Sequence, residues 1–242
     1  MHENANPKEF FVLDLDRCLL DLNETMRQYN ELVTQQYPSL GAQLYRTSRA
    51  AVASGDSFDT YKYLAAELDD RAVEELNAFF VKSVENSSLL NAGAKELMEY
   101  LDLSEHEYGI LTYGSLEWQE FKLRASRLDC VPHLVTDQKE KGRLIASWRR
   151  PNGEFAVPSR LLAHIGQSAV YSSVVLVDDK PTSFIGLPLS ARGYLYKNPQ
   201  YETLPSQQGN VSGTVTIIDD LRRVVESEQL GDEQALRMAT AS

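Results

Sequence analysis

The apolar positions of this chain fall into three successive patterns. The first is a short continuous run, Phe10-Phe11-Val12-Leu13, too brief for a helix and closed by acids on its far side. Such a run predicts a strand buried on both faces. From about Asn23 to Ser88 the pattern becomes helical. Leu22, Met26, Tyr29 and Val33 recur in steps of three and four, and "SFDTYKYLAAEL" and "DDRAVEELNAFFVKSV" predict two more helices, with Ser57 and Asp69 or Asp70 as N-caps. No strand pattern interrupts this stretch, and "SLLNAGAKELMEYL" predicts a helix leading back to the core.

Strands and helices then alternate. "YGILT" (108–112) precedes the helical "SLEWQEFKLRASRL", and "HLVT" gives the next strand. "RLIASW" and "EFAVP" flank "RRPNG" and predict a hairpin over 142–158 that turns at Asn152-Gly153. A helix over "SRLLAHIG", strand "SVVLV" (173–177), strand "TVTII" (214–218) and helix "DLRRVVESEQL" follow, with a tail from Asp232 expected to fray. Alternation of this kind predicts an α/β fold, a Rossmann-like parallel sheet covered on both faces. The helical stretch reads as an insertion into it. The expected division is a core of 1–21 and 89–242 and a helical subdomain of 22–88.

In open parallel sheets, ligands gather at the carboxyl ends of the strands. Those ends are chemically distinctive here. Asp14 and Asp16 follow the first strand, and Thr112 ends the second. "DQKEKG", with Lys139 and Lys141, follows "HLVT", and Asp178, Asp179 and Lys180 follow "SVVLV". Clustered carboxylates raise one another's pKa unless a cation joins them. Mg²⁺ suits such oxygen ligands and keeps positions for water and phosphate oxygens. A carboxylate beside it can attack phosphorus, while a lysine and a hydroxyl hold the transferring group. Asp219-Asp220 is read differently, as a turn and cap for the helix that follows.

Composition narrows the field. The 242 residues carry 24 basic and 35 acidic side chains, a net charge of −11. That argues against a broad nucleic-acid surface. A phosphorylated substrate would need a local cation to overcome the repulsion. The start "MHENANPKE" lacks the pattern of a signal peptide, and no apolar run has the length of a membrane span. Cys18 and Cys130 form no disulfide or metal spacing and read as reduced thiols of a cytoplasmic protein. His2, His106, His133 and His164 show no ligand spacing. Arg46, Arg49 and Lys62 in the helical stretch, and Arg149 and Arg150 beside the hairpin, read as solvated cations.

Taken in order, "FFVLDLDRCLL", "GILTYG", "KEKG" and "VVLVDDK" resemble the four motifs of the haloacid dehalogenase (HAD) superfamily. The gap of roughly a hundred residues between the first two matches as well. The resemblance spans about Phe10 to Leu221. It implies a Mg²⁺-dependent phosphatase acting on a small phosphorylated metabolite, as a monomer or homodimer, away from membranes and nucleic acid. By that resemblance Asp14 is the nucleophile, and Asp16 is the acid–base residue whose main-chain carbonyl touches the metal. Thr112 binds the phosphoryl group, and Lys141, or else Lys139, neutralises it. Asp178 binds Mg²⁺, and Asp179 supports the ion or its waters. The stretch 22–88 stands where the family inserts a cap. Cys18 departs from the usual Thr or Val, and Ser183 stands where many relatives carry a further acid. A phosphotransferase or mutase, or a non-catalytic phospho-ligand binder, is the alternative. A receiver domain would order its acids differently. The dehalogenase branch lacks the second acid, because halide leaves without a proton, so Asp16 favours the phosphatase.

Overall fold

The computed structural model describes residues 8–53, 58–163, 170–199 and 214–240. Six strands form one parallel sheet. They are β1 (Glu9–Leu13), β2 (Glu107–Tyr113), β3 (His133–Thr136), β6 (Ser173–Asp178), β7 (Arg192–Tyr196) and β8 (Val215–Ile218). Their spatial order is β3-β2-β1-β6-β7-β8. A separate two-stranded antiparallel ribbon pairs β4 (Phe155–Ala156) with β5 (Val170–Tyr171).

Strand β1 is central because its sequence allows nothing else. Phe10, Phe11, Val12 and Leu13 are each fully buried. Alternation sends Phe11 and Leu13 into the core on one face, and Phe10 and Val12 into the core on the other. The first face is covered by helices α5 (Ala94–Leu103), α6 (Leu116–Ser126) and α8 (Arg222–Thr240), through residues such as Leu97, Phe121 and Val224. The other face is covered by α7 (Lys141–Ser147), the ribbon and the segment around Phe184.

Four helices occupy the region between β1 and α5: α1 (Leu22–Gln36), α2 (Pro38–Ala53), α3 (Thr60–Glu67) and α4 (Asp70–Ser83). Asp21 caps α1 by accepting from the Glu24 N–H at 3.0 Å, and Asp59 and Asp69 cap α3 and α4 in the same way. The predicted cap Ser57 lies outside the described residues. The excursion begins and ends at one place. The Asp21 N–H donates to the Leu89 carbonyl, and the Asn91 N–H donates to the Leu19 carbonyl, both at 2.8 Å. An aromatic cluster ties the excursion to the sheet's helices. Tyr29 of α1 lies 5.1 Å from Phe80 of α4, 5.5 Å from Trp118 and 5.0 Å from Phe121, the last two on α6.

Three expectations are corrected. Arg143 to Ser147 of "RLIASW" are helical, inside α7, and the hairpin is reduced to Trp148–Arg150 against Glu154–Ala156, with the Ala156 N–H donating to the Trp148 carbonyl at 2.8 Å. Ile145 and Trp148, three apart, both enter the far-face core, which a helix allows. The turn before Glu154 does form, with Gly153 at φ 92° and its N–H donating to Arg150 at 2.9 Å. Yet the main partner of Phe155–Ala156 is β5. "SRLLAHIG" shows only a 3-10 turn at Ser159–Leu161, with His164 to Gly166 outside the described residues. Strand β7, "RGYLY", was not anticipated. The backbone of α8 also runs helical past Asp232 to Thr240, where fraying was expected.

Gly142 sets how closely α7 approaches the chain after β6. A Cβ there would come within 2.7 Å of both the Ile185 carbonyl oxygen and the Leu187 nitrogen, which are backbone atoms with little freedom to yield. Alanine would gain helix propensity, but near a helix start that gain is small. We expect Gly142→Ala to lower stability by about 1–2 kcal/mol through overpacking, measured by urea unfolding. An unchanged or raised midpoint would refute the close-approach argument.

Candidate active site

Strands β2, β1 and β6 are adjacent and in step. Leu13 pairs with Ile110 on one side and with Val177 on the other. Strands β1 and β6 therefore end almost level while β2 runs on to Tyr113, and the Asp14 N–H continues the ladder by donating to the Val177 carbonyl at 2.9 Å. This puts Asp14, at 3% exposure, beside the fully buried Asp178. The Lys141 ammonium, at the start of α7, donates to Asp14 Oδ1 and, at 2.7 Å, to Asp178 Oδ2. Lys139 instead lies over the Tyr113 ring, 5.5 Å from its centre. Of the two predicted lysines, Lys141 is the one that enters the cluster.

Burial and the neighbouring Asp178 push the Asp14 carboxyl up to about 6, although Lys141 acts against the rise. Burial, with Asp14 and Asp178 nearby, pushes Asp179 up to about 8. Burial works against the charge on Lys141, but its two carboxylate partners hold its pKa above the ordinary value. Lys180 is likewise held charged, against burial, by Asp179, Asp14 and Asp178. The Lys180 N–H donates to Asp178 Oδ1 at 2.8 Å, which fixes the loop after β6.

The acid cluster is short of positive charge. Oxygens of Asp14, Asp178 and Asp179 lie within 4.8 Å of one another. Asp14 Oδ2 and Asp179 Oδ1 are buried and have no hydrogen-bond partner among the described residues. Unpaired buried carboxylate oxygens are costly. Hard oxygen donors at this spacing, with no sulfur or imidazole among them, fit a small hard divalent cation such as Mg²⁺.

Asp16 is placed differently. Its side chain does not join that cluster. Lys122 of α6 donates to both of its oxygens, at 2.6 and 2.5 Å, and Gln119 Nε2 reaches Oδ2 at 3.3 Å. Thr112, fully buried, donates its hydroxyl to Gln119 Oε1 at 3.0 Å. The predicted residues thus divide into two linked groups: Asp14, Lys141, Asp178 and Asp179 around the acid cluster, and Thr112 and Asp16 joined through Gln119.

Sequence reasoning missed Gln119 and Lys122. Their signal was present, since a glutamine and a lysine three apart share one side of the helix that directly follows the strand of the motif threonine. It also missed Asn91. The Asn91 side-chain amide faces the carbonyl oxygens of Cys18 (2.8 Å), Arg17 (3.0 Å) and Leu20 (3.1 Å), and so holds the loop that follows Asp16. Within that loop Cys18 is fully buried, and its thiol faces the Val177 carbonyl at 3.8 Å. Burial and the three acids keep it protonated well above its usual pKa, so it is not an activated thiol.

Other predicted groups lie elsewhere. Asp220 accepts from the Arg222 N–H at 2.9 Å at the start of α8, as a cap. Arg46, Arg49, Lys62, Arg149 and Arg150 are exposed. His106 packs on Phe11, His133 bonds Glu120, and His2 and His164 lie outside the described residues. No helix among the described residues is long and apolar enough to cross a membrane.

The fold has solved counterparts. A haloacid dehalogenase-like hydrolase of Burkholderia xenovorans LB400 superposes with a TM-score of 0.60 at 15% identity, over 91% of this chain and 98% of that one. The HAD-hydrolase YfnB of Bacillus subtilis, solved with magnesium bound, gives 0.51 at 16% identity, over 92% and 98%. No family model matches the sequence, and no curated protein matches it. The chain has the haloacid dehalogenase-like fold.

The raised carboxyls give a signed expectation for pH. Asp14 and Asp179 bind a proton more tightly folded than unfolded, because their folded pKa values of about 6 and about 8 exceed the ordinary 3.8. Their contribution to stability is full below pH 3.8 and is lost as pH rises through about 8. In chelator, this site should cost the protein stability progressively over that range. Added Mg²⁺ should offset the loss, so the gap in Tm between the two conditions widens with pH. Differential scanning fluorimetry in EDTA and in Mg²⁺ measures it, and a gap that stays flat across pH contradicts the assignment.

Proposed function

We propose that the protein is a Mg²⁺-dependent phosphatase, hydrolysing a small phosphate monoester through an aspartyl phosphate on Asp14. One observation carries the reading. Lys141 bridges Asp14 and Asp178 while Asp14 Oδ2 and Asp179 Oδ1 remain buried without partners. A purely structural ion pair would leave no such oxygens, because orphaned acceptors are costly. A site awaiting a cation and a phosphoryl group would.

Asp14, Asp178 and Asp179 would hold the ion, together with the main-chain carbonyl of Asp16. When bound, Mg²⁺ offsets the crowded negative charge and helps to neutralise a phosphate dianion.

The remaining work falls to side chains of this chain. One Asp14 oxygen attacks phosphorus, and the bond from phosphorus to the ester oxygen breaks in line with the attack. Lys141, already donating to Asp14, stands beside the nucleophile to take charge from the transferring oxygens. Thr112 contributes its hydroxyl to the same group, exchanging its bond to Gln119 for one to a phosphoryl oxygen. Lys122 holds Asp16 ionised against its burial, so Asp16 takes a proton from solvent as substrate binds and then gives it to the departing alkoxide. It then takes one from the water that cleaves the aspartyl phosphate, which releases phosphate and restores Asp14. Helices α1 to α4, over the predicted 22–88, serve as the cap, and their residues would choose the leaving group. The reading goes with a cytoplasmic protein acting on a small phosphorylated metabolite.

Wild type should hydrolyse p-nitrophenyl phosphate in Mg²⁺, lose that activity in EDTA, and regain it when Mg²⁺ is restored. Asp14→Asn should abolish it. Asp16→Asn should slow enzyme phosphorylation by about 10²–10⁴-fold on alkyl phosphates, and by much less on nitrophenyl phosphate, whose leaving group needs little protonation. The labelled phosphoenzyme should also persist longer in this mutant. Single-turnover kinetics with labelled phosphate, followed by mapping of the label, reads all three effects. Label on any residue other than Asp14 would end the proposal.

A further inference from the structure

Helix α6 brings two polar side chains into the core. Lys122 is 1% exposed and Gln119 is 2% exposed, among buried Trp118, Phe121 and Leu123. Burying an ammonium this deeply is expensive, and a buried ion pair rarely adds stability over an apolar pair of similar size. Stability therefore does not explain the lysine.

Its geometry points to a use. The Lys122 ammonium contacts both oxygens of Asp16, and Gln119 adds a third donor to Oδ2. Three donors from one helix fix both the direction of the carboxylate and the rotation of its plane. Gln119 is itself held, since its Nε2 also donates to the Tyr113 carbonyl at 2.8 Å and its Oε1 accepts from Thr112 at 3.0 Å. Gly114 makes room for it. A Cβ at that position would lie 2.4 Å from Gln119 Nε2, and the φ of 150° suits glycine. The Lys122 ammonium also lies 5.7 Å from the centre of the Trp118 ring, a cation–π contact that helps to steady it.

We propose that Lys122 and Gln119 are positioning residues that aim the Asp16 carboxylate at the oxygen leaving phosphorus. The inference rests on the phosphatase reading of the same site and adds two residues outside the four sequence motifs. Neither side chain touches substrate. Both act through Asp16, and a misplacement of about 1 Å in such a group is enough to cost on the order of 10²-fold in rate.

The test is a mutant cycle read with two leaving groups. Lys122→Met keeps the length of the side chain and removes its donors. It should lower kcat on an alkyl phosphate by about 10–10²-fold, with KM little changed, and lower kcat on p-nitrophenyl phosphate much less. In the Asp16→Asn background, Lys122→Met should add almost nothing, because the group it aims has already lost its function. Gln119→Leu, which leaves the ion pair in place, should show the same leaving-group bias in weaker form and so covers the case in which Lys122→Met fails to fold. Equal losses on both substrates, or full additivity with Asp16→Asn, would overturn the positioning role while wild-type activity and the Asp14→Asn result left the phosphatase reading intact. A wild type inactive on both substrates would overturn both.

Discussion

Everything at this site follows from the need to hold acids together at the end of a sheet. Asp14 and Asp178 are side by side because β1 and β6 are in register. Lys141, donating to both, makes that tolerable. The lysine in turn reaches them because α7 lies close against the chain that follows β6, at Gly142. A parallel sheet, a glycine contact and one ammonium are thus parts of a single constraint. Loosening any of them leaves buried carboxylates without a partner, which costs more than the pair contributes.

The lysine does not complete the balance. Asp14, Asp16, Asp178 and Asp179 face Lys122, Lys141 and Lys180, so one negative charge is left over within the site once all four acids are ionised. The chain as a whole carries −11. On the proposed reading, an incoming phosphate dianion would meet repulsion near and far unless a cation were also present. This is why the unpartnered oxygens of Asp14 and Asp179 weigh more in the functional reading than the acidic composition does. Composition only excludes broad anionic partners, whereas the two oxygens mark one place for a cation.

What the sequence made legible is what local chemistry determines. The Phe10–Leu13 run, its two acids, the strand ending at Thr112 and the Asp178-Asp179 pair could be placed because short buried strands carry their polar residues at their ends. The choice between Lys139 and Lys141 could not, since it depends on where α7 begins. "RLIASW" misled because a short apolar segment satisfies both strand and helix periods. The core shows which one the fold uses, since Ile145 and Trp148, three apart, both enter it. Gln119, Lys122 and Asn91 escaped notice because their meaning is entirely tertiary. Each bonds to a loop more than seventy residues away in sequence.

Helix α6 shows how such tertiary meaning is stored. Trp118 and Phe121 pack against Tyr29, and Phe121 also against Phe80, so the helix is keyed to the inserted helices. Gln119 and Lys122, one residue further along in each case, reach Asp16. Alternate use of neighbouring positions on one rigid rod gives helices α1 to α4 and the Asp16 carboxylate a common mechanical reference. A displacement of α1 or α4 that carried Trp118 and Phe121 with it would also carry the donors that aim Asp16. The substitutions that uncouple the two should therefore lie on α6 itself, in its apolar contacts with α1 and α4, and not among the acids at the strand ends.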